Sequence, residues 1–196
     1  MMTTIDKEMR ERRTLRVVLA LNAGLAVALL IAGAIGDSSA LLANGLDNLS
    51  DAAVYALSLV ALSHGIKWKT RAARASGIML LLFAVGMVVD VVRRYLMGSE
   101  PIGATMMVMA AGAAVVNYIC LRMLQRLRDP DVNLRAATTF SFNDFISNGG
   151  ILVAGGLVTL LGTNWPDLLV GLATALIATK GGIEILRDAA KEGGDA

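Results

Sequence analysis

Asp47 and Asp51 stand four residues apart, and a second polar pair, Asp144 and Asn148, repeats that spacing later in the chain. On an α-helix, residues four apart share a face, with Cβ atoms about 5–6 Å apart. Two carboxylates held that way repel, and an apolar setting strengthens the repulsion. A cation between them removes it. Four oxygen-bearing side chains from two helices could complete a four-coordinate cage. Asp47, Asp51, Asp144 and Asn148 are therefore the candidate metal ligands, and no residue reads as catalytic.

The elements that must position them are apolar. Of 196 residues, 56% are hydrophobic and 17% charged, with a mean hydropathy of +0.63. Soluble domains are usually about 45–50% apolar and about 25% charged. This composition excludes an ordinary soluble enzyme, and it excludes disorder, which needs low hydrophobicity and high charge. A net charge of +2 gives no reason to expect nucleic acid. The single cysteine, Cys120, allows neither an intrachain disulfide nor a CxxC metal clip.

Six apolar runs are legible, over 15–35, 40–63, 76–97, 104–123, 138–161 and 166–186. Each approaches the roughly 20 residues that span a bilayer. None carries the charged outer stripe of a soluble helical bundle. The expected fold is an all-α membrane protein of six transmembrane helices. Six spans take about 120 residues, leaving no room for a catalytic domain, so no enzyme is expected. The first run is too long for a secretory signal and lacks a clear small-residue cleavage site.

Fifteen of the 18 basic residues fall on one side of this arrangement. They precede the first run, lie between the second and third, surround the fourth-to-fifth loop and follow the sixth. Arg93 and Arg94 lie near the other side, and Lys180 is within a run. The positive-inside rule then places both termini in the cytoplasm, which requires an even number of spans. The expected divisions are an N-terminal cytoplasmic tail over 1–14, a membrane domain over 15–187 and a short cytoplasmic tail over 188–196.

Depth can be checked by helical rise. The second run goes from outside to inside, and its Asp pair is centred about 14 Å from the outer end. The fifth goes the other way, and its pair lies about 12 Å from the inner end. In a core roughly 30 Å thick both fall near the midplane, where transporters place their substrate.

Ionisable residues are costly in a bilayer, so the others need an account. Asp90 precedes Arg93 and Arg94 by three and four residues, which predicts a local ion pair. Lys180 and Glu184 are four apart, which predicts a structural pair. His64 has no visible co-ligand and reads as a solvated loop residue. The methionines at 106–109 and Phe140, Phe142 and Phe145 read as packing surface. Gly149, Gly150, Gly155 and Gly156 predict close helix approach in the fifth span. Asn22, Asn44, Asn48, Asn117 and Asn143 are neutral polar company.

At its Asp47-xxx-Asp51 motif, within the run 40–51, the chain resembles the cation diffusion facilitator family of metal exporters. Asp144-xxx-Asn148 occupies the place of that family's fifth-helix motif, usually His-xxx-Asp. The likeness covers nearly the whole chain. It implies a divalent-cation exporter of the plasma (inner) membrane, a homodimer, and no prosthetic group. Three departures stand out. Only about ten residues follow the sixth run, which implies a short form without the family's C-terminal cytoplasmic domain. The loop between the second and third runs lacks the family's usual His- and Gly-containing segment. The fifth-helix pair has no histidine. Oxygen donors alone suit harder ions such as Mn²⁺, whereas imidazole suits Zn²⁺. The resemblance favours Zn²⁺, placed first, with Cd²⁺, Co²⁺, Fe²⁺ and Mn²⁺ as further candidates.

The expected mechanism is metal/proton antiport. Three clustered carboxylates in a dry site cannot all stay ionised without a cation, so metal binding displaces protons. Asn44 and Asn48 would support the ligands. A passive channel needs a continuous polar lining, which turns such as 52–54 do not supply. A non-transporting membrane scaffold predicts that Asp47→Ala or Asp51→Ala leaves function intact.

Overall fold

The computed structural model describes residues 4–61, 66–127 and 132–194. These form six helices and no strand: α1 (Thr4–Ile35), α2 (Ser39–Ala61), α3 (Ile66–Met97), α4 (Gly103–Gln125), α5 (Val132–Leu161) and α6 (Trp165–Gly194). Four of them outrun the expected spans. α1 and α3 have 32 residues each, about 48 Å at the helical rise and well beyond a core roughly 30 Å thick. The extra turns of α1, α3, α5 and α6 all lie at the basic end of the bundle. Hydropathy marks only where a helix leaves lipid. The Arg, Lys, Glu and Ala of these extensions favour helix in water as well.

Three pairs pack most extensively: α1 with α2, α4 with α5, and α3 with α6. α2 is the hub, because it touches all five other helices. That position explains its composition. Among the described residues, five helices are long and apolar enough to cross a membrane, namely α1, α3, α4, α5 and α6. α2 falls short because Asn44, Asp47, Asn48 and Asp51 interrupt it. An enclosed helix needs no lipid-compatible surface. The peripheral helices show the reverse of a soluble protein, with Leu82, Val108, Val153 and Leu160 exposed on their outer faces.

Small residues let α4 and α5 close up. A Cβ on Gly103 would stand 2.4 Å from the Gly155 carbonyl oxygen, and one on Gly155 would stand 2.8 Å from the Gly103 oxygen. Gly155 thus meets the expectation of close approach. Gly149 and Gly150 do not, since both face open space. Met106 is fully buried in the packing between these helices.

The α2 N-terminus is tied to α6. Ser38 caps the helix by accepting from the Leu41 N–H at 3.1 Å. Its hydroxyl donates to Asp167 at 2.5 Å, and the Ser39 and Ala40 N–H groups donate to the same carboxylate at 2.8 and 3.1 Å. A negative charge placed there offsets the positive end of the helix dipole.

Along the bundle axis the core is layered. One apolar cluster joins Leu29, Leu41, Met106, Ala110, Ile151 and Val158. A second joins Leu15, Val18, Tyr55, Cys120 and Leu124. Between them, on α1, α2, α4 and α5, the buried side chains are polar: Asn22, Asn44, Asn48, Asp51, Asn117, Asp144 and Asn148.

Candidate metal centre

α2 supplies the largest share of this polar layer. At 100° per residue, Asn44, Asp47, Asn48, Asp51 and Tyr55 fall within an arc of about 100°, so one face carries them all. α5 presents Asp144 and Asn148 at the same level. Asp51, Asp144 and Asn148 are buried, while Asp47 is only half-buried. Asp47 sits at the edge of the stripe and also borders a crevice lined by Leu80, Phe83 and Met87 of α3 and Thr174 of α6.

The two helices meet through these side chains. Asn44 Nδ2 donates to Asn148 Oδ1 at 2.8 Å. Asn148 Nδ2 donates to the Asp144 carbonyl at 2.7 Å, which fixes that carboxamide. The Asp47 and Asp144 carboxyl groups are in hydrogen-bonding contact, and Asp51 is close enough to both to repel them. Two bare carboxylates in such contact repel in a dry interior, and a proton or a cation between them would remove the repulsion. Tyr55 donates its hydroxyl to Asp51 at 3.4 Å. Asn117, from α4, donates to Asp144 Oδ2 at 3.3 Å.

The four expected ligands thus share one layer and one polar cluster. They do not stand as a closed cage. Among the described residues, no three His, Cys, Asp or Glu side chains have the arrangement of a ready metal site. The contacts just named give the reason: Asp47 is engaged with Asp144, Asp51 with Tyr55, and Asn148 with Asn44. A cation entering here would replace those contacts with its own.

Among the described residues, two buried acceptors have no hydrogen-bond donor, Asn48 Oδ1 and Asn117 Oδ1. Leaving such an atom unpaired costs about 1–3 kcal/mol. Asn22 Nδ2 donates to the Val18 carbonyl at 2.9 Å and contacts Cys120 Sγ at 3.8 Å, at the edge of the same layer. Spacing alone points to Tyr55, four residues beyond Asp51. Nothing in the sequence of α4 pairs Asn117 with Asp144.

The remaining ionisable residues separate from this cluster. Asp90 accepts from Arg93 at 3.0 Å and from Arg94 at 2.6 Å, the local pairing expected. The structure extends it across helices. Ser39 donates to Asp90 at 2.9 Å, and Arg94 reaches the Asp37 carboxylate and its backbone oxygen. Lys180 and Glu184 pair at 3.9 Å on an exposed face. Trp165 is exposed and meets Tyr95 edge-on, with ring centroids 5.9 Å apart, as suits an interfacial aromatic. Phe145 lies against Tyr118 at 6.2 Å. His64 and the side chains of Phe140, Phe142 and Asn143 lie outside the described residues.

Residues 15–192 match the family model for the cation efflux transmembrane domain. The chain is also similar to proteins named zinc transporter ZitB. With that of Yersinia pestis it is 22% identical over 97% of this chain and 65% of the relative. With that of Escherichia coli K12 it is 22% identical, covering 92% of this chain and 62% of the relative. With that of Yersinia pseudotuberculosis it is 23% identical over 83% and 56%. The chain therefore spans less than two thirds of the length of these curated relatives.

Proposed function

The chain belongs to the cation efflux family, and on that premise we propose that it exports a divalent transition-metal cation, Zn²⁺ first, from the cytoplasm in exchange for protons. This family moves ions and is not a family of enzymes. The observation that carries the reading is the polar layer of α2 and α5. Three carboxylates and one carboxamide share a level that apolar clusters bound on both sides. Buried acidic groups at such a level mark ion pathways.

In this reading Asp47, Asp51, Asp144 and Asn148 are the direct ligands, near the bilayer midplane. Residues 15–187 act as one six-helix transport unit, with both termini in the cytoplasm and the unit in the plasma (inner) membrane. A cation arriving from the cytoplasm takes the place of the protons that the carboxylates hold. On the outside, protons reload the site and the cation leaves. The packing suits alternating access: α1, α2, α4 and α5 enclose the layer, while α3 and α6 pair closely and flank α2. Movement of one group against the other would open the apolar seals in turn. The apolar outer faces of the helices leave room for a homodimer within the membrane. The apolar seals speak against a passive channel.

A liposome flux assay under a pH gradient tests this. The wild-type protein should accumulate Zn²⁺ only with the gradient, and Asp51→Ala should abolish uptake. Uptake independent of the gradient would indicate a channel. Uptake unchanged by Asp51→Ala would overturn the site.

A further inference from the structure

Asn48 Oδ1 and Asn117 Oδ1 are the buried side-chain acceptors among the described residues that lack a donor. Their residues are 0% and 1% exposed. Neither belongs to the four ligands assigned above. In each carboxamide the nitrogen is already committed within the polar layer. Asn117 Nδ2 donates to Asp144 Oδ2 at 3.3 Å. Asn48 Nδ2 donates to the Asn44 carbonyl at 2.9 Å and to Asn44 Oδ1 at 3.2 Å. Chemistry fixes which end of Asn117 faces the carboxylate, because only the N–H can donate to it. Its oxygen, on the same planar group, is left buried without a donor. Buried acceptors are nearly always paired in folded proteins. Two left free in one layer with three carboxylates are oxygens suited to a positive charge.

We propose that the cation site extends to α4, with Asn117 positioning Asp144 through its N–H and with Asn117 Oδ1 and Asn48 Oδ1 as further oxygen donors for ions that take more than four ligands. The proposal rests on reading Asp47, Asp51, Asp144 and Asn148 as the transport site. Zn²⁺ is satisfied by four ligands. Mn²⁺ is accommodated by six oxygens in octahedral geometry. Four assigned ligands and two amide oxygens make such a set, and it contains no imidazole or thiolate to favour zinc. The amide oxygens therefore widen the range of carried ions to Mn²⁺, while zinc needs only the four.

The test uses the whole chain in liposomes, with Zn²⁺ and Mn²⁺ flux measured in parallel for wild type, Asn117→Leu, Asn117→Ala, Asn48→Leu and Asp51→Ala. Wild type should carry both metals. The asparagine variants should lower Mn²⁺ transport by about tenfold or more relative to zinc transport, the scale seen when groups supporting a metal site are removed. The Mn²⁺-to-Zn²⁺ ratio is the readout, because a merely structural role lowers both fluxes together. Asn117→Asp keeps an oxygen at this position and should keep the ratio, which guards against misfolding of the leucine variants. A ratio unchanged in all three asparagine variants overturns the proposal, as does a wild type that carries zinc alone. A wild type that carries neither metal and matches Asp51→Ala instead overturns the transport reading on which the proposal stands.

Discussion

Asn44 on α2 donates its carboxamide N–H to Asn148 Oδ1 on α5 at 2.8 Å, joining the two helices at the level of their acidic residues. This bond orients Asn148 without adding charge. Asn44→Leu should therefore weaken metal binding while sparing the fold. The expected loss is about 10–100-fold in affinity. Calorimetric titration of the purified protein with Zn²⁺ checks it, and an unchanged affinity would show that Asn148 needs no such support.

Metal binding should depend on pH with a definite sign. A protonated carboxyl is a poor ligand, so protons compete with the cation. Apparent affinity should fall as pH drops, by up to about tenfold per pH unit for each proton displaced. Asp144→Asn removes one competing proton and should flatten the dependence. Titrations in buffers of different ionisation enthalpy count the protons released. Tight binding with no release would sink the exchange mechanism.

The contact of Asp167 with the α2 N-terminus makes a stability prediction far from the metal ligands. Asp167→Ala removes an acceptor from the Ser38 hydroxyl and from the Ser39 and Ala40 N–H groups. The expected cost is about 1–2 kcal/mol, the scale of a lost helix cap. Thermal unfolding in detergent should show a lowered midpoint, with Asp167→Asn falling between the two.

Arg94 makes a comparable case at the ends of α1 and α3. Its side chain is 5% exposed, and it holds Asp90 and Asp37 together. Arg94→Ala leaves both carboxylates without that partner. The cost should be about 2 kcal/mol, below the range for a fully buried pair because Asp37 is 44% exposed. A concurrent Asp37→Asn change should recover part of it. Full additivity of the two changes would mean that the residues do not couple.

The α4–α5 contact is sensitive to volume. Gly103→Leu should push the helices apart, because a Cβ there already collides with Gly155 and Thr159. A loss of folded, monodisperse protein on gel filtration is the expected outcome, whereas Gly149→Leu should be tolerated in open space.

The sequence by itself determined the class of the molecule, the number of helices and the residues worth watching. Long apolar runs can bury their backbone polar groups in a bilayer only as helices, so their number and order were readable. The i,i+4 spacing of Asp47 with Asp51 and of Asp144 with Asn148 placed each pair on one helical face, and helical rise placed both at similar depth. The pairing of Asp90 with Arg93 and Arg94 and that of Lys180 with Glu184 were legible for the same local reason. Helix ends were not, since hydropathy is blind to helix that continues into water.

Only the tertiary structure decided which faces meet. Enclosure by five helices explains why α2 can carry Asn44, Asp47, Asn48 and Asp51 inside its span. The bond from Asn44 to Asn148, the reach of Asn117 to Asp144 and the capping of α2 by Asp167 join residues far apart in the chain. Their partners depend on helix rotation and close packing, which no local spacing encodes. The unpaired oxygens of Asn48 and Asn117 belong to the same class, because a missing partner is a property of the surroundings and not of the residue.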